Sequence, residues 1–247
     1  MAGARLRLDR LLVERGLVES RARARALVLE GRVFSAGRRL DKPGTAIAPD
    51  APLELREGPR WVSRGAHKLA HALAHFGIDA RDRVALDIGA STGGFTEVLL
   101  EAGARRIYAV DVGYGQLAWK LRTDPRVVVL ERTNARHLTR ERVPEPVDLL
   151  VCDASFISLE KLLPAPLALA APDALLVALI KPQFEVGREQ VGRGGVVRDP
   201  AVHAEVCARI RRWLEEEMGW SVAGLVESPI TGPRGNREFL ICARRRS

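Results

Sequence analysis

The pattern of apolar and polar positions differs between two regions of this chain, and it is clearer in the region from residue 64 onward. Short apolar runs there predict strands over 84–87, 106–111, 127–131, 147–153, 174–181, 222–227 and 238–243. Helical spacing predicts helices over 64–76, 162–170 and about 200–218, with another that follows the strand over 84–87 and runs to Gly103. Such alternation is typical of a mostly parallel sheet with helices on both faces, so we expect an α/β, Rossmann-like domain.

The first part of the chain has shorter elements. A leucine-rich stripe ends at Gly16, and a second helix is expected over 21–30, between an N-cap at Ser20 and a stop at Gly31. From Val33 to residue 55, glycine and proline turns separate short strands. The pattern predicts a small α+β domain over 1–59, a linker over 60–63 and the α/β domain over 64–247.

The most informative motif is the stretch 87–96, Asp-Ile-Gly-Ala-Ser-Thr-Gly-Gly-Phe-Thr, which joins an apolar strand to a helix. Glycines at such a turn let the backbone approach a nucleotide-type ligand, and the helix N-terminus supplies N–H donors. The spacing is not the G-x-G-x-x-G of dinucleotide sites, and no Gly-Lys-Ser/Thr follows, so S-adenosylmethionine is the expected ligand. A tight turn without a ligand is the alternative. The candidate cofactor-binding residues here are Asp87, Gly89, Ala90, Ser91, Gly93, Gly94 and Phe95.

Further candidate ligand residues follow the second and third predicted strands. Asp111, followed by Val112, lies about twenty residues beyond the glycine turn, where a carboxylate accepts hydrogen bonds from ribose hydroxyls. Asn134 and Ala135 follow the third strand, where an adenine base is expected. Strands often end in Asp simply because Asp suits turns, and that alternative stays open.

Asp153 and Lys181 end two more apolar strands. Carboxyl ends of parallel strands open onto one crevice, so we expect these two side chains to lie near each other. A lysine at the end of an apolar run is costly unless its ammonium group meets a partner or a substrate. The pair is therefore either a functional site or an ordinary ion pair.

Positive charge is concentrated in the N-terminal part of the chain. The chain of 247 residues carries a net charge of +8, which favours a polyanionic partner. Residues 5–57 hold twelve Lys and Arg against eight Asp and Glu, an excess of +4. Arg21 and Arg25 share a helix face at i,i+4 and could grip successive phosphates, although a solvated arginine-rich face is the alternative. The candidate RNA-binding residues are Arg5, Arg7, Arg10, Arg21, Arg25, Arg32 and Arg38.

The three cysteines, Cys152, Cys207 and Cys242, are scattered and have no C-x-x-C spacing. A disulfide framework and a zinc site are therefore not expected, and no metal is predicted. The sequence has no signal-like or membrane-spanning apolar run. We expect a soluble protein of a reducing cytoplasm.

Several motifs in order resemble those of the TlyA (hemolysin A) family, in which an S4-type RNA-binding module precedes an FtsJ-like methyltransferase domain. They are Leu-Leu-Val-Glu-Arg-Gly-Leu at 11–17, Ser-Arg-Gly-Ala-His-Lys-Leu at 63–69, the glycine turn, Ala-Val-Asp-Val-Gly-Tyr-Gly-Gln-Leu at 109–117, Asp-Ala-Ser-Phe-Ile-Ser-Leu at 153–159, Lys-Pro-Gln-Phe-Glu at 181–185 and Gly-Asn-Arg-Glu at 235–238. The resemblance covers essentially the whole chain.

The resemblance implies a Lys-Asp-Lys-Glu tetrad for ribose 2′-O methylation, at Lys68, Asp153, Lys181 and Glu238. Lys181 is the candidate general base, with Lys68 as a second amine and the two carboxylates orienting them. Asp153 would also lie beside the S-adenosylmethionine donor. The implied substrates are cytidines in 16S or 23S ribosomal RNA or both, and the partner is ribosomal RNA or a ribosomal subunit, with no membrane. The protein would be a monomer or a weak dimer.

Three other functions compete with this interpretation. A membrane-active hemolysin is suggested by the family's second name, and a catalytically inactive RNA-binding protein would keep the fold without the reaction. A pseudouridine synthase also uses S4-type modules, but it would need a different catalytic domain without the glycine turn.

Overall fold

The computed structural model describes residues 5–56 and 60–246. The chain forms two compact units that divide between Arg60 and Trp61.

The first unit consists of two helices and short strands around a small apolar core. Its elements are β1 (Leu6–Arg7), α1 (Leu8–Glu14), α2 (Arg21–Leu29), β2 (Val33–Ser35), β3 (Arg38–Arg39), β4 (Ala46–Ile47) and β5 (Glu54–Leu55). Ser20 caps α2 as expected, because its hydroxyl accepts a hydrogen bond from the Arg23 N–H at 3.2 Å. The leucine-rich stripe was expected to include Leu6, but Leu6 belongs to β1 and pairs with Ile47 of β4.

The second unit is built on a seven-stranded sheet. Its strands are β6 (Val84–Ile88), β7 (Arg106–Val110), β8 (Val127–Leu130), β9 (Val147–Cys152), β10 (Ala170–Ile180), β11 (Trp220–Glu227) and β12 (Phe239–Arg245). They lie in the order β11-β12-β10-β9-β6-β7-β8, and β12 runs antiparallel to both of its neighbours while the other pairs are parallel. The predicted mostly parallel α/β sheet is confirmed.

Seven α-helices accompany this sheet in the part of the chain that the structure describes. They are α3 (Ala66–His75), α4 (Gly94–Glu101), α5 (Trp119–Arg122), α6 (Leu159–Leu162), α7 (Pro164–Ala168), α8 (Pro182–Glu185) and α9 (Pro200–Arg212). The last of these continues as a π-helical turn over Trp213–Glu217, so the predicted helix over 200–218 changes its pitch near the end.

The helix predicted over 162–170 is wrong in its bounds. Two short helices replace it, because Pro164 lacks an N–H and starts a new helix, α7. β10 begins at Ala170, which pairs with Val147 of β9, instead of at residue 174. The pairing of β10 with β9 shifts its register between Ala170 and Leu175, and Asp173, with φ of +59°, lies in this irregular part of β10. The irregularity lets β10 begin before residue 174.

The order of the strands positions the site. The chain leaves β6 toward β7 and β8 on one side and later returns to β9 on the other side of β6. Loops that follow β6 and β9 therefore diverge at the carboxyl ends of the strands and leave a crevice between them. Strand residues beneath the crevice, such as Leu86 and Val151, are fully buried. This apolar sheet gives the loops above it a rigid support.

Candidate active site

The turn after β6 is shaped by close packing. Gly89, with φ of +84°, lies so near the next loop that a Cβ there would be 3.0 Å from the backbone of Ala154. Gly93, with φ of +99°, leaves no room for a Cβ because the side chains of Leu121 and Leu117 press against it. Close packing therefore accounts for both glycines, and Gly89 also lines the crevice.

Asp87 lies beneath this turn and is fully buried. Its Oδ2 accepts a hydrogen bond from the Thr96 hydroxyl at 2.7 Å, and its Oδ1 has no partner. Burial raises the pKa of the Asp87 carboxyl to about 7, and the nearby carboxylates of Asp153 and Asp111 add to the effect.

A cavity of about 420 Å³ opens beside the glycine turn. We call it the donor cavity, because residues predicted to bind the methyl donor line it. Seven of the predicted cofactor-binding residues line it: Gly89, Ser91, Asp111, Val112, Asn134, Ala135 and Asp153. Ala90, Gly94 and Phe95 line a neighbouring cavity instead, and Asp87 and Gly93 belong to neither lining. The turn thus contributes to two adjoining cavities.

Asp111 also holds the backbone of the turn in place. Its carboxylate accepts hydrogen bonds from the N–H groups of Ser91 at 2.8 Å and Gly113 at 2.7 Å. Ser91 adopts φ of +49°, and the contact with Asp111 stabilises that conformation. Asp111 therefore stabilises a turn, as the alternative explanation for this residue expected. It also lines the donor cavity.

The four tetrad residues come together from different elements. Lys68 lies on α3, Asp153 and Lys181 directly follow β9 and β10, and Glu238 directly precedes β12. Lys68 Nζ is 2.7 Å from Glu238 Oε2 and 3.2 Å from Asp153 Oδ2. Lys181 Nζ is 2.6 Å from Asp153 Oδ1. Asp153 thus bridges the two lysines, which lie 113 positions apart in the sequence.

These four side chains are largely removed from water. Their exposed fractions are 8% for Lys68, 19% for Asp153, 7% for Lys181 and 1% for Glu238. Two ammonium groups and two carboxylates balance in formal charge, which offsets the desolvation cost of burying them. The Oε1 atom of Glu238 is buried without a partner.

The tetrad lines the neighbouring cavity of about 340 Å³, which we call the acceptor cavity. It shares Gly89, Ser91, Asp153 and Ser155 with the donor cavity. Molecules in the two cavities would therefore meet beside Asp153.

Sequence reasoning missed two residues of this crevice. The hydroxyl of Ser155 accepts a hydrogen bond from Lys181 Nζ at 3.0 Å. Phe156 adopts φ of +66°, is 90% exposed, and has its ring centroid 4.9 Å from that of Phe184. Both belong to the motif at 153–159 that carries the family resemblance, but neither lies in a periodic element, so the pattern of the sequence assigned them no role.

Known proteins identify the two units. An FtsJ-like methyltransferase model matches residues 61–245, and an S4 domain model matches residues 6–51. The 16S/23S rRNA (cytidine-2′-O)-methyltransferase TlyA of Mycobacterium tuberculosis is 53% identical to this chain, over 97% of this chain and 90% of the relative. The chain belongs to the TlyA family of FtsJ-like methyltransferases.

Solved structures agree with this assignment of the methyltransferase. A protein from Streptococcus thermophilus, classed among hemolysins, is 43% identical, with a TM-score of 0.74 over 99% of this chain and 90% of that chain. An O-methyltransferase from Bacillus cereus in complex with SAH is 18% identical, with a TM-score of 0.52 over 76% of this chain and 84% of that chain. The second likeness concerns the fold alone, which is that of S-adenosylmethionine-dependent methyltransferases.

The S4 domain of this TlyA-family chain contains a charged cluster. Asp9, whose side chain is completely inaccessible, accepts hydrogen bonds from Arg7 at 3.0 Å, Arg21 at 3.0 Å and Arg25 at 3.3 Å. Each arginine is 51–57% exposed, so the three guanidinium groups cover Asp9 and also face solvent. Hydrogen bonds from Arg7, followed by those from Arg21, hold the pKa of the Asp9 carboxyl far below its usual range.

The other predicted RNA-binding arginines are more dispersed. Arg10 pairs with Glu14 at 2.6 Å, and Arg32 pairs with Glu30 at 3.5 Å. Arg5 and Arg38 are exposed. Among all the candidates, Arg7, Arg21 and Arg25 are thus brought together around one carboxylate.

The residues that the structure describes lack two kinds of feature. No three His, Cys, Asp or Glu side chains among them are grouped so that they could hold a metal ion. None of their helices has the length and apolar character needed to cross a membrane.

Proposed function

We propose that this protein transfers a methyl group from S-adenosylmethionine to the 2′-hydroxyl of cytidine riboses in 16S or 23S ribosomal RNA, or in both. The observation that carries this proposal is the convergence of Lys68, Asp153, Lys181 and Glu238 at the junction of two cavities. A ribose hydroxyl is a poor nucleophile, so its methylation needs a positioned base and fixed alignment.

The donor cavity suits a nucleoside with a charged tail. Ile88, Val110 and Leu162 give it apolar walls where an adenine ring packs, and Asp111 offers a carboxylate for ribose hydroxyls. Gly89 also lines this cavity, at a point where a Cβ would lie only 3.0 Å from the backbone of Ala154. When bound there, S-adenosylmethionine supplies a methyl group activated by its sulfonium charge.

The acceptor hydroxyl is placed by the tetrad. Its oxygen forms a bond to the methyl carbon as the sulfur–carbon bond breaks, which leaves S-adenosylhomocysteine. Its proton moves to the lone pair of Lys181 Nζ, so Lys181 must enter this step as the neutral amine. Asp153 and Ser155 fix the direction of that amine through contacts of 2.6 and 3.0 Å. Lys68, held by Glu238 at 2.7 Å, fixes the other carboxylate oxygen of Asp153. Such fixed geometry lowers the entropic part of the barrier.

We further propose that the S4 domain docks the RNA backbone. The Asp9 cluster has three arginines for one carboxylate, an excess of two positive charges. Arginine donors match phosphate oxygens in geometry, and an excess of cations attracts a polyanion over longer distances. A ribosomal RNA substrate implies that the reaction takes place in the cytoplasm.

Membrane lysis is the second candidate, because several similar proteins carry hemolysin names. RNA-free protein added to erythrocytes distinguishes the candidates. We expect no release of haemoglobin, and lysis that persists in a variant without Lys181 would favour the second function.

Transfer to purified ribosomal subunits tests the proposal. Subunits from cells that lack this protein are incubated with the protein and donor carrying a labelled methyl group, and nucleosides are then separated by mass spectrometry. We expect label in 2′-O-methylcytidine. Label confined to a base, or to protein, would contradict the proposed reaction.

A further inference from the structure

A third cavity, which we call the side cavity, opens next to the tetrad. It has a volume of about 630 Å³. It shares Ser155 with the acceptor and donor cavities, Phe156 with the donor cavity and Glu238 with the acceptor cavity. A nucleoside whose ribose lies beside Lys181 can therefore extend its base into the side cavity.

The walls of the side cavity suit a flat ring. Phe156 and Phe184 line it and contact each other with ring centroids 4.9 Å apart. Aromatic side chains stack on unstacked nucleobases, whichever base is present. These two rings therefore favour a base without choosing among bases.

Gln183, in the same lining, has an unused hydrogen-bonding atom. Its Oε1 is buried and has no hydrogen-bond partner. A buried acceptor without a partner is costly and uncommon, so a ligand that donates a hydrogen bond there would recover that cost. Gln183 lies in the short helix α8, two positions after Lys181. One segment of the chain would therefore contact both the base and the ribose.

The surroundings of α8 fix this segment. Glu185, at its end, accepts a hydrogen bond from the Leu159 N–H at 2.8 Å, and Arg209 donates to the backbone oxygen of Glu185 at 2.8 Å. Asn236 is the other amide in the side cavity, but it is engaged with the loop at 195–197: its Oδ1 accepts from Val197 and its Nδ2 donates to Gly195. Gln183 is therefore the amide placed to read a ligand.

We propose that Gln183 selects the acceptor base by accepting a hydrogen bond from an exocyclic amine, which makes it a specificity-determining residue for cytosine over uracil. Cytosine carries an amino group at position 4, whereas uracil carries a carbonyl oxygen there, which would face Gln183 Oε1 as a second acceptor. A site built for a hydrogen bond discriminates strongly against an analogue that cannot form it. This inference rests on the proposed methyl transfer.

A pair of substrates that differ at one base tests the inference. The modified position is located with the wild-type enzyme in ribosomal subunits from cells lacking this protein, and the same subunits are then prepared with uridine there. We expect wild-type enzyme to methylate the cytidine form about 10- to 100-fold faster. Equal rates on the two forms would overturn the inference while leaving the proposed reaction intact, and absence of transfer to either form would overturn both.

Three variants separate base reading from a merely structural role. Gln183→Leu should lower the rate on cytidine until the two forms react about equally, with binding of S-adenosylmethionine unchanged. Gln183→Glu keeps an acceptor oxygen and should keep the preference for cytidine. Gln190→Leu, an exposed residue outside the side cavity lining, is the matched control and should behave as the wild type. A cytidine preference that survives in Gln183→Leu would contradict the assignment.

Discussion

The Asp9 cluster and the tetrad both place a carboxylate among several cations, but they differ in balance and in exposure. Three arginines, each 51–57% exposed, surround Asp9, whereas two lysines, 7–8% exposed, share Asp153 and Glu238. The first cluster has an excess of positive charge that faces solvent. The second is balanced in formal charge and largely buried, although it lines the acceptor cavity.

The choice of cation follows the same division. Arginine stays charged under all ordinary conditions and presents a fixed fork of donors, which suits a phosphate. Lysine can give up a proton and accept one, which suits a base. In the proposed function, the uncompensated, exposed charge serves RNA docking and the compensated, buried charge serves the chemistry.

Replacement of Lys181 should have the largest effect of the changes predicted here, and the quantity affected is the rate of methyl transfer. Lys181→Met removes the proposed base, so the transfer rate should fall by about 10³-fold, within the range for general-base catalysis. Binding of S-adenosylmethionine, measured by calorimetry, should be retained because Lys181 is outside the donor cavity lining. The exposed Lys161→Met is the control. A variant that turns over at the wild-type rate would refute the base assignment.

Removing charge from the S4 domain should act on RNA binding and not on donor binding. In the double variant Arg21→Ala with Arg25→Ala, affinity for ribosomal subunits should fall about 10- to 100-fold, and the slope of log affinity against log salt should become shallower by about 2. A salt titration of binding measures both quantities.

Arg23→Ala provides the control for this prediction, because Arg23 is exposed on the same helix and donates no side-chain hydrogen bond to Asp9. Its effect should be clearly smaller. Equal losses in the control and the double variant would mean that the Asp9 cluster has no special role in docking.

Asp87 sharpens the comparison because it is a buried carboxyl with a hydroxyl as its partner instead of a cation. Its pKa is raised to about 7 in the folded protein, whereas an unfolded Asp titrates near ~3.9. The folded state therefore holds the proton more tightly, and its stability falls as pH rises through about 7. Between roughly pH 5 and 8 the loss should be about 2–3 kcal/mol in the free energy of unfolding.

Denaturant unfolding at several pH values measures this loss. Asp87→Asn should reduce the pH dependence, since an amide does not titrate. Asp82→Asn, at an exposed position, should retain it. An unchanged pH dependence in Asp87→Asn would show that another group causes it.

Much of the fold followed from local pattern, and the exceptions have physical causes. The seven apolar runs predicted the seven strands. Runs in the middle of the sheet are mostly buried on both faces, whereas the edge strands β8 and β11 are partly exposed. The four-residue helices α5 and α8 were not predicted, since so short a segment has no recognisable period. The start of β10 depends on pairing with Val147 across the sheet, which no local pattern contains.

Local sequence pattern also predicted only part of the candidate site. The ends of the strands predicted a crevice with Asp153 and Lys181, but resemblance to a family was needed to add Lys68 and Glu238, from α3 and the start of β12. Ser155 was missed because its contact with Lys181 depends on the path of an irregular loop, where Phe156 has φ of +66°. Packing of Gly93 against Leu121 could not be foreseen either, because α5 itself was not predicted.

Mapping of 2′-O-methyl marks on ribosomal RNA from cells without this protein tests the central claim most directly. Cells are complemented with either the wild-type protein or Lys181→Met, at matched protein levels, and ribose methylation is read at each cytidine. We expect a cytidine mark that is absent without the protein, restored by the wild type and not restored by Lys181→Met. Restoration of the mark by Lys181→Met, or an identical set of marks in all the strains, would contradict the account.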